Sequence, residues 1–171
     1  SKADPEALAQ SLDLAQQKGA SLIALTIDRQ GVPADVEKRV ELGASILAAA
    51  NEAGLPMDRL FIDTIILPVN VAPKQPANVM EAMRQLAAFS DPKPHFLLGL
   101  SNVSQNCRQR SLINRTYLAM AVAAGLDSAI LDPLDSELMD AAITAELMVG
   151  KTIYCDSFLT AERQRKHAAQ A

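Results

Sequence analysis

The sequence predicts an α/β fold built on a parallel sheet. Three observations lead there. Short, mainly apolar runs alternate four times with longer segments of helical periodicity. The runs are of the kind buried on both faces, as in parallel sheets. Their starts recur at near-equal intervals, with no low-complexity segment or domain linker between them, which suits successive βα units.

The chain opens on a helix. Asp4 is a preferred N-cap, and Pro5 fits a first helical turn, where its missing N–H is not needed. Leu8, Leu12 and Ala15 then follow at helical spacing until Gly19. A strand is expected over Ser21–Ile27, ending at Asp28, then a loop from Arg29 to Pro33 and a helix from Val36 to Ala53, closed by Gly54. A second strand is expected near Leu60–Leu67. A Pro-rich loop (Pro68, Pro73, Pro76) leads on into a helix reaching Phe89. The third unit pairs a strand at Phe96–Leu100 with a helix reaching Ala124 and closed by Gly125. The fourth pairs a strand at Ser128–Leu131 with a helix reaching Val149. Gly150, the run Thr152–Cys155 and a charged helix near Ala161–Ala169 complete the chain.

Alternating strands and helices fit either a doubly wound open sheet or consecutive units of a (βα)8 barrel. The first helix has no strand before it, so it reads as the second half of a unit whose strand lies upstream. The expectation is therefore four βα units plus a leading helix, the C-terminal half of a barrel (strands 5–8) spanning 1–171. At 171 residues the chain falls short of the about 250 typical of the whole barrel. It also lacks an initiator Met, which suggests a processed, excised or truncated chain.

Composition narrows the partners. A formal net charge of −4 argues against nucleic acid, whose phosphates require a basic face. Two cysteines do not make a disulfide-dense scaffold, which favours a reducing, cytoplasmic setting. No apolar run reaches bilayer length, and the first residues lack a signal-peptide pattern. No Gly-rich phosphate loop is visible, which leaves a flavodoxin-like sheet without its loop. Cys107 and Cys155 lack metal-type spacing. His95 precedes a strand and His167 lies in the polar tail; both read as surface residues. The Asn102-Val103-Ser104 and Asn114-Arg115-Thr116 tripeptides match the glycosylation pattern without a secretory context.

Ligands of parallel α/β folds collect at the carboxyl ends of the strands. Asp28, Asp63, Asp132 and the run Ser101–Asn106 are expected there. Their carboxylates could suggest Mg²⁺, but each is isolated in its segment. Asp63 interrupts an apolar run, and a carboxylate buried without partners is unfavourable. It is either a structural Asp bonded to nearby backbone or a Thr hydroxyl, or a ligand anchor sharing a strand face with Phe61 and Ile65. Ser101–Asn106 is either a solvated loop with an N-cap or a neutral set of donors and acceptors suited to a heterocycle.

The segments Leu60–Val71, Leu98–Cys107, Leu112–Ala121 and Thr152–Phe158 resemble methyltetrahydrofolate:corrinoid/iron–sulfur protein methyltransferases, which are pterin-binding (βα)8 barrels. The combination of Asp63 with Ser101-Asn102-Val103-Ser104-Gln105-Asn106 downstream is specific. The chain lacks the late Lys and Arg motifs of dihydropteroate synthases, which share the fold. Gln105 fits the corrinoid-protein branch better than the methionine synthase branch. The resemblance implies transfer of the N5-methyl group of methyltetrahydrofolate to the cobalt of a corrinoid (cobalamin) held by a partner protein.

The roles the resemblance implies can be set against physical demands. Asp63 resembles the anchor whose carboxylate accepts the two N–H groups along one pterin edge. Asn102 resembles the catalytic residue whose amide hydrogen-bonds N5 as electron density develops there. Ser101 and Gln105 resemble supporting polar groups, and Arg110 a pocket-rim residue or else a surface Arg. The second pterin-binding Asp and the Asn that such proteins carry on earlier strands have no counterpart here. A complementing half-barrel, a second copy of the chain, or a fragment of a longer enzyme would each account for that. The alternative function is a non-catalytic folate- or corrinoid-protein-binding module, or an inactive fragment.

Overall fold

The computed structural model describes residues 4–152. The run after Thr152, the charged helix near Ala161–Ala169, Cys155 and His167 lie outside the described residues. The elements run α1 (Pro5–Lys18), β1 (Leu22–Leu25), α2 (Val36–Glu52), β2 (Leu60–Asp63), α3 (Gln75–Ala87), β3 (His95–Gly99), α4 (Arg110–Ala123), β4 (Ser128–Ile130) and α5 (Ser136–Met148). Side-chain caps start three of the helices. Asp4 accepts from Ala7 N–H, Asp35 from Lys38 N–H and Asp135 from Leu138 N–H, which satisfies N–H groups that a helix start leaves unpaired.

All strands pair parallel, in the order β1-β2-β3-β4. This order decides between the two expected architectures. A doubly wound sheet reverses its strand order at a switch point. Right-handed crossovers that always step the same way instead lay every helix on one face, as in the wall of a barrel. The burial agrees. Ala24, Leu60, Ile62, Phe96 and Leu98 point to the helices and are fully buried. Their alternate neighbours Ile23 and Ile130, on the other face, are 42% and 63% exposed. In register, that second face carries Ile23, Phe61 and His95 in one row and Leu25, Asp63, Leu97 and Ser128 in the next.

Helices α2 and α3 touch closely. A Cβ added to Gly43 would lie 2.5 Å from Leu86 Cδ1, so only a residue without a side chain lets this fully buried Leu sit there.

The strands are shorter than the apolar runs suggest. Instead of Leu60–Leu67, β2 ends at Asp63. The Asp63 carboxylate captures the N–H of Ile65, and Ile65 turns to φ 49°, so the ladder stops and the face shared with Phe61 does not extend to Ile65. Leu100 belongs to a 3-10 turn, Leu100–Ser104, and not to β3. Pro76 lies in the first turn of α3 and not in the loop before it. His95 is the first residue of β3. It stacks on Phe61 with ring centroids 4.7 Å apart, and its Nδ1 lies 3.2 Å from an Asp127 carboxylate oxygen. It therefore occupies the strand end opposite the expected ligand site.

Phe96 fills the centre of the helix-covered face with no exposure. Phe96→Ala should destabilise the chain by about 3–5 kcal/mol in urea unfolding, through lost burial and the cavity left behind. A loss below about 1 kcal/mol would mean that the two sheet faces are not as unequal as described.

Candidate functional site at the strand ends

Asp63 is the last residue of β2, opposite Leu25 on one side and Leu97 on the other. Its backbone is fixed from β1, since Thr26 donates both its N–H (3.0 Å) and its hydroxyl (3.4 Å) to the Asp63 carbonyl. Its carboxylate accepts the Ile65 N–H at 2.8 Å and no other hydrogen bond among the described residues. Burial raises the carboxyl pKa above its usual range, and the Ile65 N–H opposes part of that rise. The structure thus leaves this half-buried acid with acceptor capacity to spare. The Thr hydroxyl goes to its backbone, not to its carboxylate.

The next strand end supplies the amides. In the 3-10 turn Leu100–Ser104, residues three apart share a side, so Leu100 and Val103 both enter the core and Asn102 faces out. The Asn102 Nδ2 stands 3.0 Å from the position a Cβ on Gly99 would take. Gly99 therefore lets the amide fold back over the end of β3, on the face that carries Leu97 and Asp63. No described residue hydrogen-bonds the Asn102 side chain. Gly99 borders the candidate site and was missed by sequence reading; its signal is a glycine ending an apolar strand just before a polar turn.

Ser101 and Arg110 shape the turn. Arg110, the first residue of α4, donates from Nε to Ser104 Oγ (3.2 Å) and from Nη2 to the Ser101 carbonyl (3.3 Å). The fully buried Ser104 donates to the same carbonyl at 3.3 Å. Val69 N–H reaches the Val103 carbonyl at 2.9 Å, tying the loop after β2 to the turn after β3. Arg110 therefore braces the turn, while Gln105 is exposed with its side chain unengaged among the described residues. Asp28 and Asp132, also expected at strand ends, accept N–H groups two residues on, from Gln30 and Leu134. Both are turn-forming residues of the kind that stabilise loops. No group of three potential metal ligands occurs among the described residues.

Sequence reading also missed Arg39. Its side chain is wholly buried, and burial lowers the guanidinium pKa from its usual range. It donates to the Thr64 carbonyl (2.8 Å), the Pro33 carbonyl (2.8 Å), Gln75 Oε1 (2.6 Å) and the Asp35 carbonyl (3.5 Å). Gln75 in turn donates to the Pro33 carbonyl at 3.0 Å. The loop after β1, the end of β2 and the start of α3 are thereby joined. The signal lay in the helical period: Arg39 falls on the same stripe of α2 as Leu42, Gly43, Ile46 and Ala50.

An opening of about 730 Å³ lies between α1 and α2, bordered by Leu12, Gln16, Ala49 and Ala53. It is on the helix layer, away from the strand ends where Asp63 and Asn102 lie, and it lacks an unengaged buried acid.

A half-desolvated carboxylate and an open amide at adjacent strand ends suit a flat heterocycle with both donors and acceptors along its edge. Residues 4–132 match the family described as pterin binding enzyme. The chain belongs to the pterin-binding enzyme family. A methylcorrinoid:tetrahydrofolate methyltransferase of Eubacterium limosum is 30% identical over 148 residues, covering 85% of this chain and 53% of that protein. The methionine synthase of Mycobacterium leprae is 33% identical over 128 residues, covering 71% of this chain and 10% of that protein. The methionine synthase of Mycobacterium tuberculosis is 30% identical over 130 residues, with 72% and 11% covered. The chain thus spans about half the length of the first relative.

Because the folded-state pKa of Asp63 is raised, the folded chain binds its proton more tightly than the unfolded chain does, and stability falls as pH rises through that folded value. Asp63→Asn keeps the acceptor for Ile65 N–H without the charge. It should unfold at a higher temperature than the wild type at pH 7, and the gap should narrow as the pH is lowered through the carboxylate range. An Asp63→Asn variant less stable at pH 7, with a gap that ignores pH, would contradict the burial argument.

Proposed function

We propose that this chain carries one half of the active site of a methyltransferase that moves the N5-methyl group of methyltetrahydrofolate to the cobalt of a corrinoid protein. One observation carries the reading: the Asp63 carboxylate and the Asn102 amide stand at adjacent strand ends on the face of the sheet that the helices do not cover. Residue identities in both segments, together with the Eubacterium limosum relative, support the substrate class.

Asp63 accepts the N–H groups along the pterin edge in a charge-assisted pair, and Ser101 and Gln105 border the ring. As the methyl carbon leaves N5, the pair of electrons of the C–N bond stays on nitrogen, which finally takes up a proton. The two electrons of the new bond come from the reduced cobalt of the partner protein. Asn102 donates to N5 most strongly where that density is greatest, so its hydrogen bond favours the transition state over the bound substrate. The same groups serve the reverse transfer.

The uncovered face is then the inside of a barrel whose strands 5–8 are β1–β4. The other half of the site is supplied by the remaining strands, on a longer chain, a complementing polypeptide or a second copy. A cytoplasmic location fits a chain with two cysteines and, among the described residues, no helix long and apolar enough to cross a membrane. A second reading, a folate- or corrinoid-protein-binding module without turnover, is favoured by the span of this chain, about half of its relative.

With the N-terminal half supplied, transfer is followed by the absorbance of cob(I)alamin. Asn102→Ala should lower the rate by about 10²–10³-fold while retaining most of the folate affinity, as for loss of one oxyanion-hole donor. Asp63→Ala should lose folate affinity in calorimetry. A wild type that binds folate without turnover would favour the binding module, and an unchanged Asn102→Ala rate would remove that residue from catalysis.

A further inference from the structure

We infer that Arg39 is a positioning residue for Asp63, acting through the peptide group between Thr64 and Ile65, which the two side chains hold from opposite ends. The inference rests on the reading of Asp63 as the pterin anchor. Arg39 Nε donates to the Thr64 carbonyl at 2.8 Å. The N–H of that same planar peptide, on Ile65, donates to the Asp63 carboxylate at 2.8 Å. Peptide planarity makes the two contacts one rigid link.

Two features show why this peptide needs a grip. Ile65 sits at φ 49°, a left-handed conformation that is a genuine outlier for a β-branched residue. Such a conformation persists only where its surroundings over-determine it. Among the described residues the buried Thr64 hydroxyl has no hydrogen-bond partner, so the Thr64 side chain contributes no polar anchor there and the carbonyl carries the restraint. Without Arg39 the peptide is free to relax toward extended backbone. Its N–H then leaves the carboxylate, and the Asp63 side chain loses its fixed direction.

The choice of Arg supports a role beyond packing. Among the described residues no carboxylate forms an ion pair with the buried guanidinium: Asp35 offers it a carbonyl and uses its own carboxylate to cap Lys38 N–H. An apolar residue at such a site is often as stabilising as a buried charge. The guanidinium's fork, however, spans Pro33, Thr64 and Gln75 together, which an apolar side chain or a single ammonium cannot do. A cation at the carbonyl end also polarises the amide, strengthening its N–H as a donor to a carboxylate.

The test is a double-mutant cycle on the full chain, with methyltetrahydrofolate affinity as the readout and thermal unfolding recorded alongside. Arg39→Met should weaken binding about tenfold in the wild-type background and less than about twofold in an Asp63→Asn background, since its effect passes through Asp63. Where Arg39→Met does not fold, Arg39→Lys, which keeps the charge but not the Nε donor, carries the same cycle with the same expected pattern. In ligand-free protein, hydrogen exchange of the Ile65 amide should accelerate in the Arg39 variant while Ile62 in β2 stays protected. Equal losses in both backgrounds, or an unchanged Ile65 amide, would overturn the positioning role and leave Arg39 a general brace. A wild type without folate affinity would instead overturn the anchor reading; the Ile65 amide then still decides whether Arg39 holds the peptide.

Discussion

The buried guanidinium of Arg39 joins parts of the chain that the sheet ladder alone does not. Strand pairing ends at Asp63, and beyond it the loops after β1 and β2 must be held by something else. Arg39 reaches from the middle of that gap to Pro33, Thr64 and Gln75. A charged group on the apolar stripe of a helix is unfavourable unless every donor finds an acceptor. The acceptors are carbonyls and one amide, all on segments bordering the candidate site. The strained turn at Ile65 and the direction of the Asp63 carboxylate both depend on this cage.

The unequal sheet faces set the other limit on what the chain can do. On the helix side, Leu60, Ile62, Phe96 and Leu98 form a closed core, which accounts for a foldable unit. On the other side, Ile23 and Ile130 are exposed in the rows that flank the one holding Asp63 and Leu97. An apolar face of this kind is characteristic of an interaction surface or an incomplete core. The polar groups gather at its carboxyl edge, as in other parallel α/β folds. The proposed function thus requires a cover for this face.

Much of this was legible in the sequence because it rests on local chemistry. The alternation of apolar runs and helical stripes locates all four units. Asp63 and Asn102 stood out as polar groups at strand ends. The end of β2 was not legible, because Ile65, Ile66 and Leu67 continue the apolar pattern. Only the capture of Ile65 N–H by Asp63, and of the Thr64 carbonyl by Arg39, stops the strand. Arg39 is hidden for a related reason: its acceptors lie 4 to 36 residues away in sequence, and no local motif announces them. Arg110 looked like a rim residue, yet its guanidinium serves the backbone of the turn. Gly99 passed unnoticed because its role is to leave space for another side chain.

The proposed function requires a pterin held at the carboxyl ends of β2 and β3 on the uncovered face. Amide chemical shifts, followed as methyltetrahydrofolate is titrated into isotopically labelled chain, test it most directly. The largest changes should fall on Ile65, Gly99 and Asn102, with the α1–α2 groove around Gln16 and Ala53 unaffected. Changes centred on that groove, or spread evenly over the sheet, would contradict it.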